Sequence, residues 1–308
     1  ELARHGTTSW LPTTFTLAAG EIGRDCAAIA QATEDQGPTW QGARVQGIFL
    51  EGPFFTMAHV GAQNPQHLCD PDYELYRSWQ DSADGLIRRS ALAPERTGSV
   101  SYISKIVSDG IVAAIAHTDA TYEQTLAAVD AGATSFVHTY NGMRGFTHRE
   151  PGVVGAALST ASTYAEVICD GHHVSPAAVG ALIAAKGWQH VVLITDCLGC
   201  GGLPDGEYTS GGLPVVMRGG ACYLRDQDRL AGSVLTLALA VRNVVDWDLV
   251  TAEQAIRMAT EVPARANHID GYCGKILPGR DADLGILRDA RSVAATHVGG
   301  TAVGHTRD

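Results

Sequence analysis

Short apolar runs that end on an acidic or imidazole side chain recur along the chain, and helical periodicity fills the stretches between them. Residues 8–11 read as the first strand. A helix over 21–36 follows, with Ile22, Cys26, Ile29 and Ala30 spaced to share one face. Residues 45–50 form an apolar strand with Glu51 at its end, stopped by Gly52 and Pro53. After a long loop and helical region (65–84), the pattern predicts a strand at 86–92, a helix at 99–109 and a strand at 111–116 that ends at His117. A helix at 121–131 stops at Gly132. The next strand, 135–137, ends at His138; a helix at 152–160 leads to a strand at 165–169 that ends at Asp170. A helix at 176–186 precedes a strand at 191–195 that ends at Asp196.

This alternation predicts a parallel sheet, and eight such units close a barrel. Seven are counted, so the expected fold is α/β, a (β/α)8 TIM-type barrel whose first strand and helix would lie upstream of Glu1. Beyond the last strand the pattern changes to an antiparallel excursion (208–224), two helices (235–245 and 251–260) and short Gly- and Pro-punctuated strands (271–302). The expected division is a hydrolase barrel over 1–268 and the strands of a small β-domain over 269–308.

The 308 residues are 18% charged and 45% hydrophobic, which argues against disorder and for extensive burial. A net charge of −11 without Lys/Arg clusters disfavours nucleic acid and anionic membranes as partners. The seven cysteines are odd in number and scattered, a poor disulfide framework, so a reducing cytoplasm is expected. Cys197 and Cys200 have C-x-x-C spacing, but no second pair completes a structural zinc site. The apolar run near 234–241 is far too short to span a bilayer.

The strand ends change the picture. In a barrel all strand carboxyl ends open on one face, so Glu51, His117, His138, Asp170 and Asp196 converge there. Two imidazoles with two or three carboxylates suit a divalent transition metal such as zinc or iron. Any one of these residues is equally read as an ordinary polar group at a strand end; five coincidences are not. Asp196 is the candidate for acid–base work, with a ligand role as its alternative. Of His172 and His173, one is placed to donate to a developing oxyanion and the other is structural. The loop after His138 supplies Asn141, Gly142, His148 and Arg149.

The stretches LEGPFF (50–55), AHTDAT (116–121), HTYNGM (138–143), HREPGVVGAAL (148–158), CDGHHV (169–174), TDCLGCGGLPDGEY (195–208) and LAGSVLTL (230–237) resemble the N-acetylglucosamine-6-phosphate deacetylases of the amidohydrolase superfamily. The resemblance covers nearly the whole chain. It implies hydrolysis of the N-acetyl group of N-acetylglucosamine 6-phosphate to acetate and glucosamine 6-phosphate. It further implies that Glu51, His117 and His138 bind the metal and that Asp196 is the catalytic acid–base. By the same carry-over His173 holds the acetyl oxygen, Ala62, Gln63, Asn141, Gly142, Ala231 and Gly232 contact the phosphosugar, and Arg149 takes the phosphate from a neighbouring subunit of a homodimer. Gln63 stands where many relatives have histidine, and the strand that carries an H-x-H pair for a second metal in many relatives is not in the sequence. The expected cofactor is therefore one zinc per chain, with iron, cobalt or manganese as alternatives. Rival readings are a deacetylase for the galactosamine isomer, a cyclic-amide hydrolase, and an inactive phosphosugar-binding relative.

Overall fold

The computed structural model describes residues 1–37, 39–227, 229–288 and 292–304. Parts of the expected C-terminal strands, residues 289–291 and 305–308, lie outside the described residues.

The chain starts with β1 (Ser9–Trp10), α1 (Ala19–Glu34), β2 (Arg44–Val45) and β3 (Ile48–Glu51). There follow α2 (Tyr73–Ser82), β4 (Ile87–Leu92), α3 (Ser99–Ser108), β5 (Val112–Ile115), α4 (Tyr122–Asp130) and β6 (Ser135–Phe136). The alternation ends with α5 (Gly152–Ser159), β7 (Tyr164–Ile168), α6 (Pro176–Lys186) and β8 (Val191–Ile194). Strands β3 to β8 pair in parallel and in chain order, as consecutive βα units require. β1 pairs with β2, and Thr13 then bridges Phe49, so the segment runs along the free edge of β3. Six strands thus form the curled sheet, and the seventh touches its edge.

Local chemistry sets the helix starts. Thr121 and Gln124 form a capping box at α4, and Ser175 caps α6, which has Pro176 in its first turn. Alternate strand residues face opposite ways. Ile48, Leu50, Leu92, Ile115 and Phe136 pack outward with Tyr76, Trp79 and Tyr102 of the helical layer. Each such buried large side chain contributes on the order of 2 kcal/mol. Phe49, Ala91, Ala114 and Val137 face inward.

One inward pair is charged. Arg89 of β4 donates through Nη1 to Glu166 of β7, and its Nη2 lies 3.0 Å from Ser135 Oγ. Both members are buried, Nη1 also reaches Asn267 Oδ1 at 3.3 Å, and the guanidinium lies over the Phe49 ring. Nothing in the strand pattern announced this cross-brace.

After β8 comes a four-stranded antiparallel sheet, β9 (Gly206–Ser210), β10 (Leu213–Arg218), β11 (Ala221–Leu224) and β12 (Leu230–Gly232), wider than the expected excursion. Its buried Val215, Cys222 and Leu224 pack on Leu198 and Cys200, and Ala62 packs against the same group. Helices α7 (Leu237–Asp246), α8 (Ala252–Ala259) and α9 (Glu261–Ala266) follow, the last unanticipated. β13 (Leu284–Arg288), β14 (Ser292–Val298) and β15 (Thr301–Ala302) form a separate antiparallel sheet. Among the described residues no helix is long and apolar enough to cross a membrane.

Candidate active site

Four strand ends deliver one group each to a common cavity of about 1390 Å³. Glu51 is the last residue of β3, while His117, His138 and Asp196 each stand two residues beyond β5, β6 and β8. At all three the backbone turns left-handed, with φ of 44°, 34° and 49°. That conformation costs a non-glycine residue on the order of 1 kcal/mol, and such strain collects at functional sites.

The two imidazoles are oriented alike. His117 Nδ1 lies 2.8 Å from the His59 carbonyl oxygen and His138 Nδ1 lies 3.1 Å from that of Asn141. Each ring is thus held at Nδ1 by a backbone carbonyl and turns its Nε2 edge inward. Two glycines leave room for His117: a Cβ on Gly61 or Gly142 would meet its ring at 3.0 Å, and both glycines have left-handed φ. Phe55 packs on the same ring, 4.5 Å between centroids.

Glu51 Oε1 lies 3.1 Å from His138 Nε2 and 3.4 Å from His117 Nε2, and the two nitrogens are 3.2 Å apart. A carboxylate and two imidazoles gathered in a buried triangle could hold a metal ion between them. Donors held about 2.0–2.1 Å from a tetrahedral zinc are spaced about 3.3 Å from one another, so the triangle fits one face of such a site. This is the one group of three potential metal ligands found among the described residues. Burial alone would raise the Glu51 carboxyl, but hydrogen bonds from His117 and His138 outweigh it and hold Glu51 well below the usual carboxylate range. Burial opposes the charged form of His138 too, yet Glu51 lifts it to about 9.

Asp196 is pushed up to about 7, first by burial and then by the charge of Glu51, against the pull of His138 and His173. Its carbonyl oxygen accepts from the Ser233 amide at 2.8 Å, which ties the loop after β8 to the residue after β12. A carboxyl poised between its two protonation states suits proton transfer.

Asp170 is corrected from the expected metal cluster. One of its oxygens accepts from the His172 and His173 amides, both at 2.8 Å, and the other lies 2.6 Å from His173 Nδ1. Burial would raise Asp170, but these bonds bring it below its ordinary value. Ionised Asp170 thus holds the ring of His173, which lines the cavity, whereas His172 is exposed and does not.

Ala62, Gln63, Asn141, Gly142, Ala231 and Gly232 all line the cavity. Gln63 is buried, and its Oε1 accepts from the Thr16 amide at 2.8 Å, which leaves the amide nitrogen for a ligand. Arg149 is the exception: it stands exposed on the loop with His148, and neither lines this chain's cavity. Sequence reasoning missed His59, Gly61 and the Arg89–Glu166 pair; of these only the glycine carried a signal, in the loop sequence GAQNP.

The family model for the amidohydrolase family matches residues 1–303. The chain is 41% identical over 282 residues to an N-acetylgalactosamine-6-phosphate deacetylase of Escherichia coli O157:H7, covering 92% of this chain and 74% of the relative. It is 39% identical over 298 residues to an N-acetylglucosamine-6-phosphate deacetylase of Vibrio furnissii, covering 97% and 73%. Among solved structures, a variant of the Mycobacterium smegmatis N-acetyl-D-glucosamine-6-phosphate deacetylase in complex with N-acetyl-D-glucosamine-6-phosphate superposes with a TM-score of 0.92 at 32% identity, over 98% of this chain and 78% of that one.

Proposed function

The chain belongs to the amidohydrolase family, and from that premise we propose that it hydrolyses the N-acetyl group of N-acetylglucosamine 6-phosphate to glucosamine 6-phosphate and acetate. The observation that carries this reading is the buried Glu51–His117–His138 triangle opening on a cavity that Asp196 and His173 also line.

Glu51, His117 and His138 would hold one zinc per chain. Bound there, the ion supplies Lewis acidity, which polarises an amide carbonyl and makes water a better nucleophile. Asp196, as carboxylate, takes the proton from the attacking water and then gives it to the departing amine. His173, its ring fixed by Asp170, is the group placed to donate to the acetyl oxygen as negative charge develops on it. Ala62, Gln63, Asn141, Gly142, Ala231 and Gly232 form the wall for the sugar. Arg149 of a neighbouring copy contributes to the phosphate end, and its position outside its own cavity supports a homodimer. A reducing compartment, the cytoplasm, suits Cys200 and Cys222, free thiols with sulfurs 4.0 Å apart.

Acetate release from N-acetylglucosamine 6-phosphate tests the reading. Asp196→Asn should lower kcat about 10²- to 10⁴-fold with the metal retained. Wild-type protein loaded with zinc that releases no acetate from any N-acetylamino sugar phosphate would leave the phosphosugar-binding reading in its place. The galacto epimer is the second reading, favoured by the similarity to a deacetylase of that sugar. Side-by-side kcat/KM on the two epimers separates them.

A further inference from the structure

A phosphomonoester is a dianion at neutral pH, and a site for one calls for a cation that is not already spent. Three Arg/Lys side chains line the cavity: Arg89, Arg229 and Lys275. Arg89 is consumed by Glu166, deep between β4 and β7. Lys275 pairs with Glu261 at 3.0 Å. The lining imidazoles outside the metal triangle and His173 are also engaged, His59 with Asp119 at 3.1 Å and His5 with Glu1 at 3.2 Å. Arg229 is exposed, and among the described residues no acidic group pairs with it.

Its place is fixed by the backbone. The Arg229 carbonyl accepts from the Leu224 amide at 2.9 Å, which closes the turn between β11 and β12. Along β12 the chain reaches Ser233, whose amide bonds the carbonyl of Asp196. Four residues of extended chain span at most about 13 Å, so the Arg229 backbone lies within that reach of Ser233, on the wall of the cavity that Asp196 also lines. Ala231 and Gly232 line the wall between. Gln63, which lines the same cavity, offers an uncharged amide, which alone does not balance a dianion.

We propose that Arg229 binds the 6-phosphate of the substrate within the same chain, as a bidentate guanidinium–phosphate pair, beside whatever Arg149 of a neighbouring copy supplies. This rests on the reading of the cavity as a sugar-phosphate site. It assigns a recognition residue that the sequence motifs did not single out, on a turn rather than a strand end.

The experiment compares wild type, Arg229→Met and Arg229→Lys in two readouts: calorimetric binding of glucosamine 6-phosphate and of glucosamine, and steady-state deacetylation of N-acetylglucosamine with and without its phosphate. Arg229→Met should weaken glucosamine 6-phosphate binding and raise KM for the phosphorylated substrate by about 10- to 100-fold. Its kcat should stay within about threefold, glucosamine binding should not change, and Arg229→Lys should recover part of the loss. The proposal is overturned by glucosamine 6-phosphate binding to Arg229→Met within about twofold of wild type. It is equally overturned by parallel losses for both ligands, or by wild type that binds glucosamine 6-phosphate no more tightly than glucosamine. Absence of acetate release from every wild-type reaction sinks the deacetylase reading alone, because the calorimetry still decides the role of Arg229.

Discussion

Glu51→Gln keeps the shape of the ligand triangle and removes its charge. His138 measures what that charge is worth: burial disfavours its imidazolium, yet the ring is lifted from an ordinary 6.5 to about 9 by the carboxylate 3.1 Å away. The difference corresponds to about 3 kcal/mol, and burial has already been overcome within it. A divalent ion held in the same place would draw on the same carboxylate, so the loss of its charge should cost metal binding on the order of 3 kcal/mol. The glutamine variant should therefore bind zinc ~100-fold more weakly. Competition with a chromophoric chelator reads that affinity directly, and thermal unfolding of the metal-free forms controls for damage to the fold. Zinc bound by the variant within about threefold of wild type would refute the assignment of Glu51 as a ligand.

Three further outcomes follow from other contacts. Asp170→Asn should lower kcat by about 10- to 100-fold while zinc stoichiometry stays unchanged, since the carboxylate acts only through the ring of His173; unaltered kcat would remove His173 from the chemistry. Arg89→Met leaves Glu166 buried and unpaired and should destabilise by about 3–5 kcal/mol, whereas adding Glu166→Leu should recover most of it in urea titrations; no recovery would mean that the loss is one of packing. Burial lowers Lys186 to about 8 from an ordinary 10.5. Between those values the unfolded chain binds more protons than the folded one, so stability should rise with pH from about 8 to 10.5. Lys186→Met should flatten that rise, and an unchanged slope would show that another group sets it.

The barrel wall was legible because each strand is apolar and short and each helix carries its own start signal, as Thr121 with Gln124 does. The gathering of Glu51, His117 and His138 was legible for the same reason: a polar residue directly after a buried strand has one face to open on. Asp170 obeyed that rule and still stands outside the triangle, because its carboxylate closes on the ring of His173 and on two backbone amides. The Arg89–Glu166 brace was invisible because it joins strands 77 positions apart. The carbonyl of His59 was equally hidden, since an orienting backbone oxygen leaves no mark in residue identity. Helix α9 begins after a single residue, Thr260, at which the expected helix had ended, and so short a further turn of helix carries no periodic signal of its own.

Left-handed turns at His117, His138 and Asp196 make these positions stiff before anything binds. Few alternative rotations are open to a donor whose main chain is already confined and whose ring is wedged between two glycines and a phenylalanine. Any ion held by this group would thus meet a seat of fixed dimensions rather than a pliable cup, and discrimination among candidate ions would fall to their own size and preferred coordination.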